Sequence, residues 1–183
     1  SKAKRGEATL DLCCGTGDFS FELAKAVGSE GKVVGLDFVE EMLVHARKKQ
    51  EKNKLEVEFI QGDACKLPFE DNSFDIVTIG FGIRNVDSVE TCLKEIKRFL
   101  KENGRAIILE FGRPRLPIFS ALYRFYSKHI MPQIGGLLTG NKAAYEYLPE
   151  TSKAFPDRED FLELMQKAGF KSSNYRILTL GIA

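Results

Sequence analysis

A short glycine-containing segment near the start of the chain constrains its fold more than any other feature. It reads Leu10-Asp11-Leu12-Cys13-Cys14-Gly15-Thr16-Gly17-Asp18, an apolar run that stops at glycines before a helical pattern begins. Glycine has no Cβ, so the backbone can turn tightly here and come close to a ligand. The helix that follows has unpaired N–H groups in its first turn. The segment therefore predicts a cradle for a nucleotide or nucleoside.

The details of this loop argue against a phosphate ligand. Ser20 stands where a Gly-x-Gly-x-x-Gly dinucleotide motif has its third glycine, and no Gly-Lys-Ser/Thr follows the loop. Asp18 opens the helix, where a carboxylate competes with a phosphate for the same donors. A nucleoside without phosphates, such as S-adenosylmethionine, fits better. We expect Asp11 and Asp18 to face its ammonium and sulfonium groups.

Composition indicates one globular domain over residues 1–183. Lys and Arg total 27 against 26 for Asp and Glu, a net charge of +1 that gives no sign of nucleic-acid binding. No apolar run approaches the ~18 residues of a membrane span. The four cysteines show no zinc or redox spacing, so we expect no metal site, buried thiols at Cys13 and Cys92, and a cytoplasmic location.

Apolar runs alternate with helical patterns through the first 111 residues. Strands are predicted at 9–13, 32–37, 56–60, 74–80 and 105–111, with helices at 18–27, 39–50 and 88–101. We expect Asp87 and Glu90 to cap the third helix and Asn103-Gly104 to end it. This alternation predicts an α/β fold, a parallel sheet with helices on both faces.

The alternation stops at Pro114. Residues 114–148 are rich in proline and aromatic side chains and predict a helical insertion that covers a substrate. A helix is then predicted over 157–168, with Phe161, Leu162, Leu164 and Met165 facing inward, and a last strand over 172–178.

Two acidic positions follow the second and third predicted strands. Asp37 lies about 20 residues after Gly17, where a carboxylate can hold both ribose hydroxyls. Asp63-Ala64 suits an adenine amino group and the flat ring beside it. The alternatives are a helix cap at Asp37 and a turn at Asp63. The glycine loop, Asp37 and Asp63-Ala64, in this order, together favour S-adenosylmethionine as the ligand. Gly15, Thr16 and Gly17 are then expected to contact its methionine half.

From about residue 8 to its end the sequence resembles the ubiquinone/menaquinone biosynthesis C-methyltransferases. The glycine segment, Gly35-Leu36-Asp37 and Gly62-Asp63-Ala64 are typical of any class I S-adenosylmethionine-dependent methyltransferase. Three further motifs resemble this family in particular: Phe81-Gly82-Ile83-Arg84-Asn85-Val86, Leu109-Glu110-Phe111 and Tyr123-x-x-Tyr126-Ser127-x-x-Ile130-x-Pro132-x-Ile134-Gly135. The resemblance implies a Rossmann-like, doubly wound, mostly parallel sheet with an antiparallel final strand. It also implies methylation of a ring carbon in a prenylated quinol.

The resemblance also assigns cofactor-contacting positions. Thr16, Asp37, Asp63 and Ala64 match such positions, and Gly80 stands where the family usually has a serine, which leaves only its backbone for contact. Family members generally have a helical segment before the first strand. Only the short polar stretch from Lys2 to Glu7 precedes it here, so an open site is expected.

The expected reaction needs a group that accepts a proton from the quinol hydroxyl. The candidates are Arg84 and Asn85 after the fourth strand, and Tyr126 and His129 in the insertion. Arginine cannot readily act as a base, but Arg84 can stabilise a phenolate or hold a water, and Glu110 is a candidate partner for it. Imidazole titrates near neutral pH, yet a histidine in an aromatic helix is as often simply packed.

Several alternatives stay open from the sequence alone. Demethylmenaquinol is weakly preferred over a ubiquinone precursor as substrate. A methyltransferase for another lipophilic acceptor, a non-catalytic S-adenosylmethionine-binding protein and an NAD oxidoreductase are the competing functions. A prenyl tail would hold the substrate in a bilayer, so Leu116, Ile118, Phe119 and Leu122 are expected either to touch the membrane surface or to pack inward. A homodimer is also left open.

Overall fold

The computed structural model describes residues 2–134, 151 and 155–183. These residues fall into two compact units. The sheet unit comprises Ser1–Glu110 with Met165–Lys171, and the helical unit comprises Phe111–Leu164 with Ser172–Ala183. Within the described ranges, no helix is long and apolar enough to cross a membrane.

The sheet unit contains a five-stranded parallel sheet. Its strands are β1 (Ala8–Leu12), β2 (Lys32–Asp37), β3 (Glu58–Gln61), β4 (Phe74–Gly80) and β5 (Leu100–Leu109). They lie in the order β3-β2-β1-β4-β5. Successive strands are therefore added on one side of β1 up to β3 and on its other side from β4 onward. Ligands of such sheets bind at the carboxyl ends of the strands where this order reverses, here β1 and β4.

Three helices of the sheet unit connect these strands. They are α1 (Asp18–Val27), α2 (Glu40–Asn53) and α3 (Val89–Phe99), and a 3₁₀ turn spans Ile83–Asn85. The apolar positions of α3 recur at helical spacing, and Leu93, Ile96 and Phe99 are fully buried. Cys92 is buried on the same face as predicted, whereas Cys13 is only half-buried.

The predicted ends of α3 are wrong. Ser88 caps the helix through its side chain, which accepts the amide of Thr91 at 3.2 Å, so Asp87 and Glu90 do not form the cap. The helix stops at Phe99 rather than at Asn103-Gly104 because Leu100 is already extended and pairs with Phe74. Pairing resumes at Ile76 with Arg105, so residues 101–104 of β5 form a bulge opposite the single residue Asp75. The apolar pattern had predicted that the helix continues into these residues.

The helical unit confirms the predicted helical start of the insertion. Helix α4 (Pro117–Phe125) continues through a π-helical turn at Tyr126–Ile130 into helical residues 131–134. The remainder of the predicted insertion, 135–148, lies outside the described residues. Arg113 binds the buried carboxylate of Asp157 through its amide, Nε and Nη2 at 2.6–3.1 Å. Although burial opposes it, this contact lowers the pKa of Asp157.

The last helix, α5 (Glu159–Lys167), lies within the predicted range, and its four predicted inward residues are half-buried. The predicted final strand over 172–178 does not form in the described structure, so the sheet has no antiparallel strand there. The amide of Leu178 donates to the Ala183 carbonyl at 2.6 Å, and Thr179–Gly181 makes a 3₁₀ turn. Residues 178–183 thus bond to one another.

Candidate functional site

The loop after β1 has the backbone that its glycines predict. Gly15 and Gly17 have φ values of 54° and 82°, and Cys13 adopts the same left-handed region at 52°. A Cβ on Gly17 would lie 2.8 Å from the Phe59 ring, so this position has no room for a side chain. The loop is anchored to the next strand because the Cys14 amide donates to the Leu36 carbonyl at 3.0 Å.

Asp37 ends β2 and organises the site. Its Oδ2 accepts the amide of Gly15 at 2.8 Å, and its Oδ1 accepts the amide of Val39 at 2.9 Å. The second bond matches the alternative reading of Asp37 as a cap ahead of α2. The first joins the end of β2 to the glycine loop, a long-range contact that no local pattern reveals.

Asp11 lies beneath the loop instead of facing an open cavity. The side chain is buried, and its two oxygens accept hydrogen bonds from the Ser20 and Thr78 hydroxyls, both at 2.6 Å. Burial raises the pKa of Asp11 to about 6, although both hydroxyls oppose this shift. In this geometry Asp11 joins β1, α1 and β4, and its contact with a ligand cation stays a prediction.

Asp18 is held by a side chain of α2. Its carboxylate is exposed and pairs with Lys49 of α2 at 2.8 Å. The same ammonium donates to the Thr16 hydroxyl at 2.7 Å, and that hydroxyl donates to Asp18 at 3.1 Å. The hydrogen bond from Lys49 lowers the pKa of Asp18. Lys49 is thus a residue that sequence reasoning missed, since nothing in α2 indicates a contact with the glycine loop.

The loop after β3 lies beside the end of β2. The amide of Gly62 donates to the Asp37 carbonyl at 3.0 Å, so the ends of β2 and β3 are joined. Asp63 accepts the amide of Cys65 at 2.8 Å through Oδ1, as the turn alternative predicted, and Ala64 is buried. Asp37, Asp63 and Ala64 therefore lie on two neighbouring, hydrogen-bonded loops.

The segment after β4 packs directly on the segment after β1. Phe81 has a left-handed φ of 57°, and its amide donates to the Leu109 carbonyl at 2.8 Å. A Cβ on Gly82 would lie 2.3 Å from the Cβ of Cys13, so only glycine fits there. Such backbone conformations are concentrated at functional sites. At Gly80, the last residue of β4, a Cβ would meet the ring of Phe19 at 2.8 Å.

Arg84 and Glu110 form an ion pair, one of the two roles the sequence offered for Glu110, and the structure shows that the pair is buried. Arg84 Nη1 donates to Glu110 Oε1 at 2.6 Å and to the Phe81 carbonyl at 2.7 Å, and both side chains are only 8% exposed. The pair is therefore internal and does not lie on the surface. The pair fixes the 81–86 segment to the end of β5, while Asn85 is exposed at the end of the 3₁₀ turn.

The remaining candidates belong to the helical unit. Tyr126 and His129 are exposed in the π-helical turn, and the His129 ring lies 5.2 Å from the ring of Phe125. The sheet unit thus contains the predicted cofactor-site residues together with Arg84 and Asn85. Tyr145 and Tyr147 of the predicted insertion lie outside the described residues.

Curated relatives resemble the whole chain. The model of the ubiE/COQ5 methyltransferase family matches residues 1–183. The chain is 48% identical to the ubiquinone/menaquinone biosynthesis C-methyltransferase UbiE of Bdellovibrio bacteriovorus, over 100% of this chain and 78% of that protein. It is 45% identical to the demethylmenaquinone methyltransferase of Staphylococcus carnosus, over 100% of this chain and 75% of that protein.

Solved structures support the fold. A SAM-dependent methyltransferase from Aquifex aeolicus matches with a TM-score of 0.57 and 32% identity, over 60% of this chain and 59% of that chain. Another from Thermotoga maritima matches with a TM-score of 0.63 and 26% identity, over 91% of this chain and 65% of that chain. The chain thus spans less than two thirds of either solved protein. These matches confirm the predicted α/β methyltransferase fold, and the chain belongs to the ubiE/COQ5 methyltransferase family.

Proposed function

We propose that this protein is an S-adenosylmethionine-dependent C-methyltransferase that methylates a ring carbon of a prenylated quinol in quinone biosynthesis. The observation that carries the proposal is the joining of three loops at one sheet edge by Asp37. Its carboxylate binds the glycine loop and its carbonyl binds the loop of Asp63. The names of the relatives from Bdellovibrio bacteriovorus and Staphylococcus carnosus supply the quinone substrate class.

The shape of the sheet edge fits S-adenosylmethionine. Gly17 is buried and packs so closely on the Phe59 ring that it admits no Cβ, whereas Gly15 and Thr16 beside it are half-buried. We assign the methionine half of the cofactor to Gly15, Thr16 and Gly17, the ribose to Asp37, and the adenine to Asp63 and Ala64. Gly80 contributes its backbone. When bound, the cofactor supplies a methyl group activated by its positive sulfur.

The protein residues have the tasks of holding the quinol and managing its proton. Loss of the proton from a quinol hydroxyl raises the electron density on the neighbouring ring carbon, and a fixed orientation supplies much of the rate. Arg84 is bound to Glu110 and to the Phe81 carbonyl, so we assign it the task of holding the 81–86 segment. Its charge also stabilises a nearby phenolate. Asn85, Tyr126 and His129 stay the candidates for contact with the quinol hydroxyl and its proton.

Helix α4 supports the proposal that the protein touches a membrane surface without crossing it. Ile118 is 81% exposed, and Leu116 and Leu122 are also exposed. Phe119 is half-buried and stacks on Tyr123, so it fits the inward-packing alternative. Arg115 pairs with Glu159 at 3.2 Å, but the exposed Arg124 near these apolar side chains suits an anionic bilayer surface.

Liposome co-sedimentation tests this contact. Ile118→Asp is expected to reduce binding to vesicles that contain anionic phospholipid, while Val44→Asp, which places the same charge on α2, leaves binding unchanged. Equal binding of Ile118→Asp and the wild type would rule out α4 as the contact.

We further propose that the sheet and helical units together form one methyltransferase domain.

A three-acceptor assay tests the proposed reaction. The protein is incubated with labelled S-adenosylmethionine and a prenylated naphthoquinol, a prenylated benzoquinol or a catechol without a tail. We expect label in the naphthoquinol first, less in the benzoquinol, and none in the catechol. Labelling of the catechol alone would support a methyltransferase for another acceptor. Cofactor binding without any product would support a non-catalytic binding protein.

A further inference from the structure

Phe19 is an exposed aromatic residue at the edge of the sheet that no part of the proposed site yet uses. It is the second residue of α1, and 45% of its surface is exposed. Its ring packs on Gly80, since a Cβ built there would lie 2.8 Å from Cε2 and 3.2 Å from Cδ2. The ring thus occupies the space where any other residue at position 80 would place its side chain.

This place in the fold lies at the reversal of strand order. Gly80 is the last residue of β4, one position beyond the pairing of Ile79 with Leu12 of β1. The glycine loop assigned to the methionine half of the cofactor begins directly after Leu12. The ring of Phe19 therefore lies at the end of β4, one of the two strands that flank the reversal, where a ligand of such a sheet is expected.

A cation bound there needs a partner of negative potential. The two carboxylates first expected to serve are already engaged, because Asp11 accepts two buried hydroxyls and Asp18 pairs with Lys49. An aromatic face carries negative potential and attracts cations within about 6 Å of its centroid. Onium groups such as a sulfonium are suitable partners because they form few hydrogen bonds with water.

We propose that Phe19 contacts the sulfonium of the methyl donor and lets the site distinguish the charged donor from the neutral product, S-adenosylhomocysteine. Gly80 makes this contact possible because it leaves room for the ring. The proposal rests on the cofactor of the proposed function, though not on the identity of the quinol. Weaker binding of the neutral product would help its release after each transfer.

Calorimetric titration of both nucleosides in the absence of quinol tests the proposal. Phe19→Leu keeps the apolar bulk but removes the aromatic face, so the ratio of the product Kd to the donor Kd should fall about 2- to 5-fold. Phe19→Tyr keeps the aromatic face and should preserve the wild-type ratio. An unchanged ratio in Phe19→Leu overturns the proposal, and so does a Tyr variant that behaves like the Leu variant.

A second variant keeps the aromatic residue and moves it. In Gly80→Ala the new Cβ requires the exposed ring of Phe19 to rotate away, so the same fall in the Kd ratio is expected. A wild-type ratio in this variant would also contradict the proposal. Failure of the wild-type protein to bind either nucleoside would refute the proposed cofactor, which is a different result from binding with no effect of Phe19.

Discussion

Asp37 Oδ2 accepts a hydrogen bond from the backbone amide of Gly15 at 2.8 Å and thereby fixes the glycine loop to the end of β2. The two residues are 22 positions apart and belong to loops that each contribute to the proposed cofactor site. Because one carboxylate both orders the loop and lies where the ribose is expected, its removal should affect cofactor binding more than overall stability.

Asp37→Ala is expected to raise the Kd for S-adenosylmethionine about 10- to 100-fold, since hydrogen bonds to a charged group are lost. Titration calorimetry measures this change. Asp71→Ala is the matched control, because Asp71 pairs with Arg98 on the surface of the sheet unit and should leave the Kd unchanged. Equal effects of the two substitutions would contradict the assignment of Asp37.

Gly82→Ala should destabilise the protein by about 1–3 kcal/mol because the new Cβ overlaps the Cβ of Cys13. Urea unfolding measures this loss. Gly28→Ala is a useful comparison, since Gly28 has a φ of 69° with open space around it and should lose only about 1 kcal/mol from backbone strain. Adding Cys13→Gly to Gly82→Ala removes the overlap and should restore most of the stability, whereas purely additive losses would disprove the contact.

Breaking the buried pair of Arg84 and Glu110 should be costly. Glu110→Gln leaves a buried guanidinium without its counter-charge and is expected to lower the free energy of unfolding by about 3–5 kcal/mol. Glu22→Gln breaks the exposed pair with Lys25 and should cost less than about 1 kcal/mol. The double variant Arg84→Met with Glu110→Met should be more stable than Glu110→Gln alone. If the double variant were instead less stable than Glu110→Gln, the charges of Arg84 and Glu110 would not be neutralising each other in the core.

Asp11 predicts a specific pH dependence of stability. Its pKa is raised from 3.8 to about 6 by burial, so the protonated form is favoured by folding. The stabilising contribution is therefore complete below about pH 4 and is lost as the pH rises through 6, a change of at most about 3 kcal/mol.

Asp11→Asn removes this titration because the amide stays neutral. The free energy of unfolding of the variant minus that of the wild type should increase between pH 4 and pH 7, as measured by urea unfolding at several pH values. Other titrating groups are common to both proteins and cancel in this difference. A difference that does not change with pH would show that Asp11 has an ordinary pKa.

Local sequence patterns predicted most of the sheet. The bounds of β2 and β4 were predicted correctly because each is a short apolar run flanked by polar residues. The end of α3 was missed because Leu100 is apolar at helical spacing, and only its pairing with Phe74 of a distant strand makes it extended. The final strand over 172–178 was predicted wrongly, since an apolar pattern does not report whether a segment pairs with a neighbouring strand, and Leu178 bonds to Ala183 instead.

In the candidate site, too, the features set by local sequence were predicted and those set by distant contacts were not. The types and order of Gly15, Asp37 and Asp63 were readable because they follow strands whose carboxyl ends share one edge. The hydrogen bonds that bury Asp11 could not be predicted from the sequence pattern, because one of the two donors, Thr78, belongs to another strand. The contact of Phe19 with Gly80 depends on how α1 packs on β4, and that of Gly82 with Cys13 on how the loops after β4 and β1 pack. Spacing along a chain does not report such contacts.

The position of the new methyl group tests the central claim most directly. The protein is incubated with methyl-¹³C-labelled S-adenosylmethionine and a prenylated naphthoquinol, and the purified product is analysed by carbon NMR. We predict a single labelled methyl bonded to a ring carbon, together with one equivalent of S-adenosylhomocysteine. A labelled methyl on a quinol oxygen, or no labelled quinol although the cofactor binds, would contradict the proposed C-methylation.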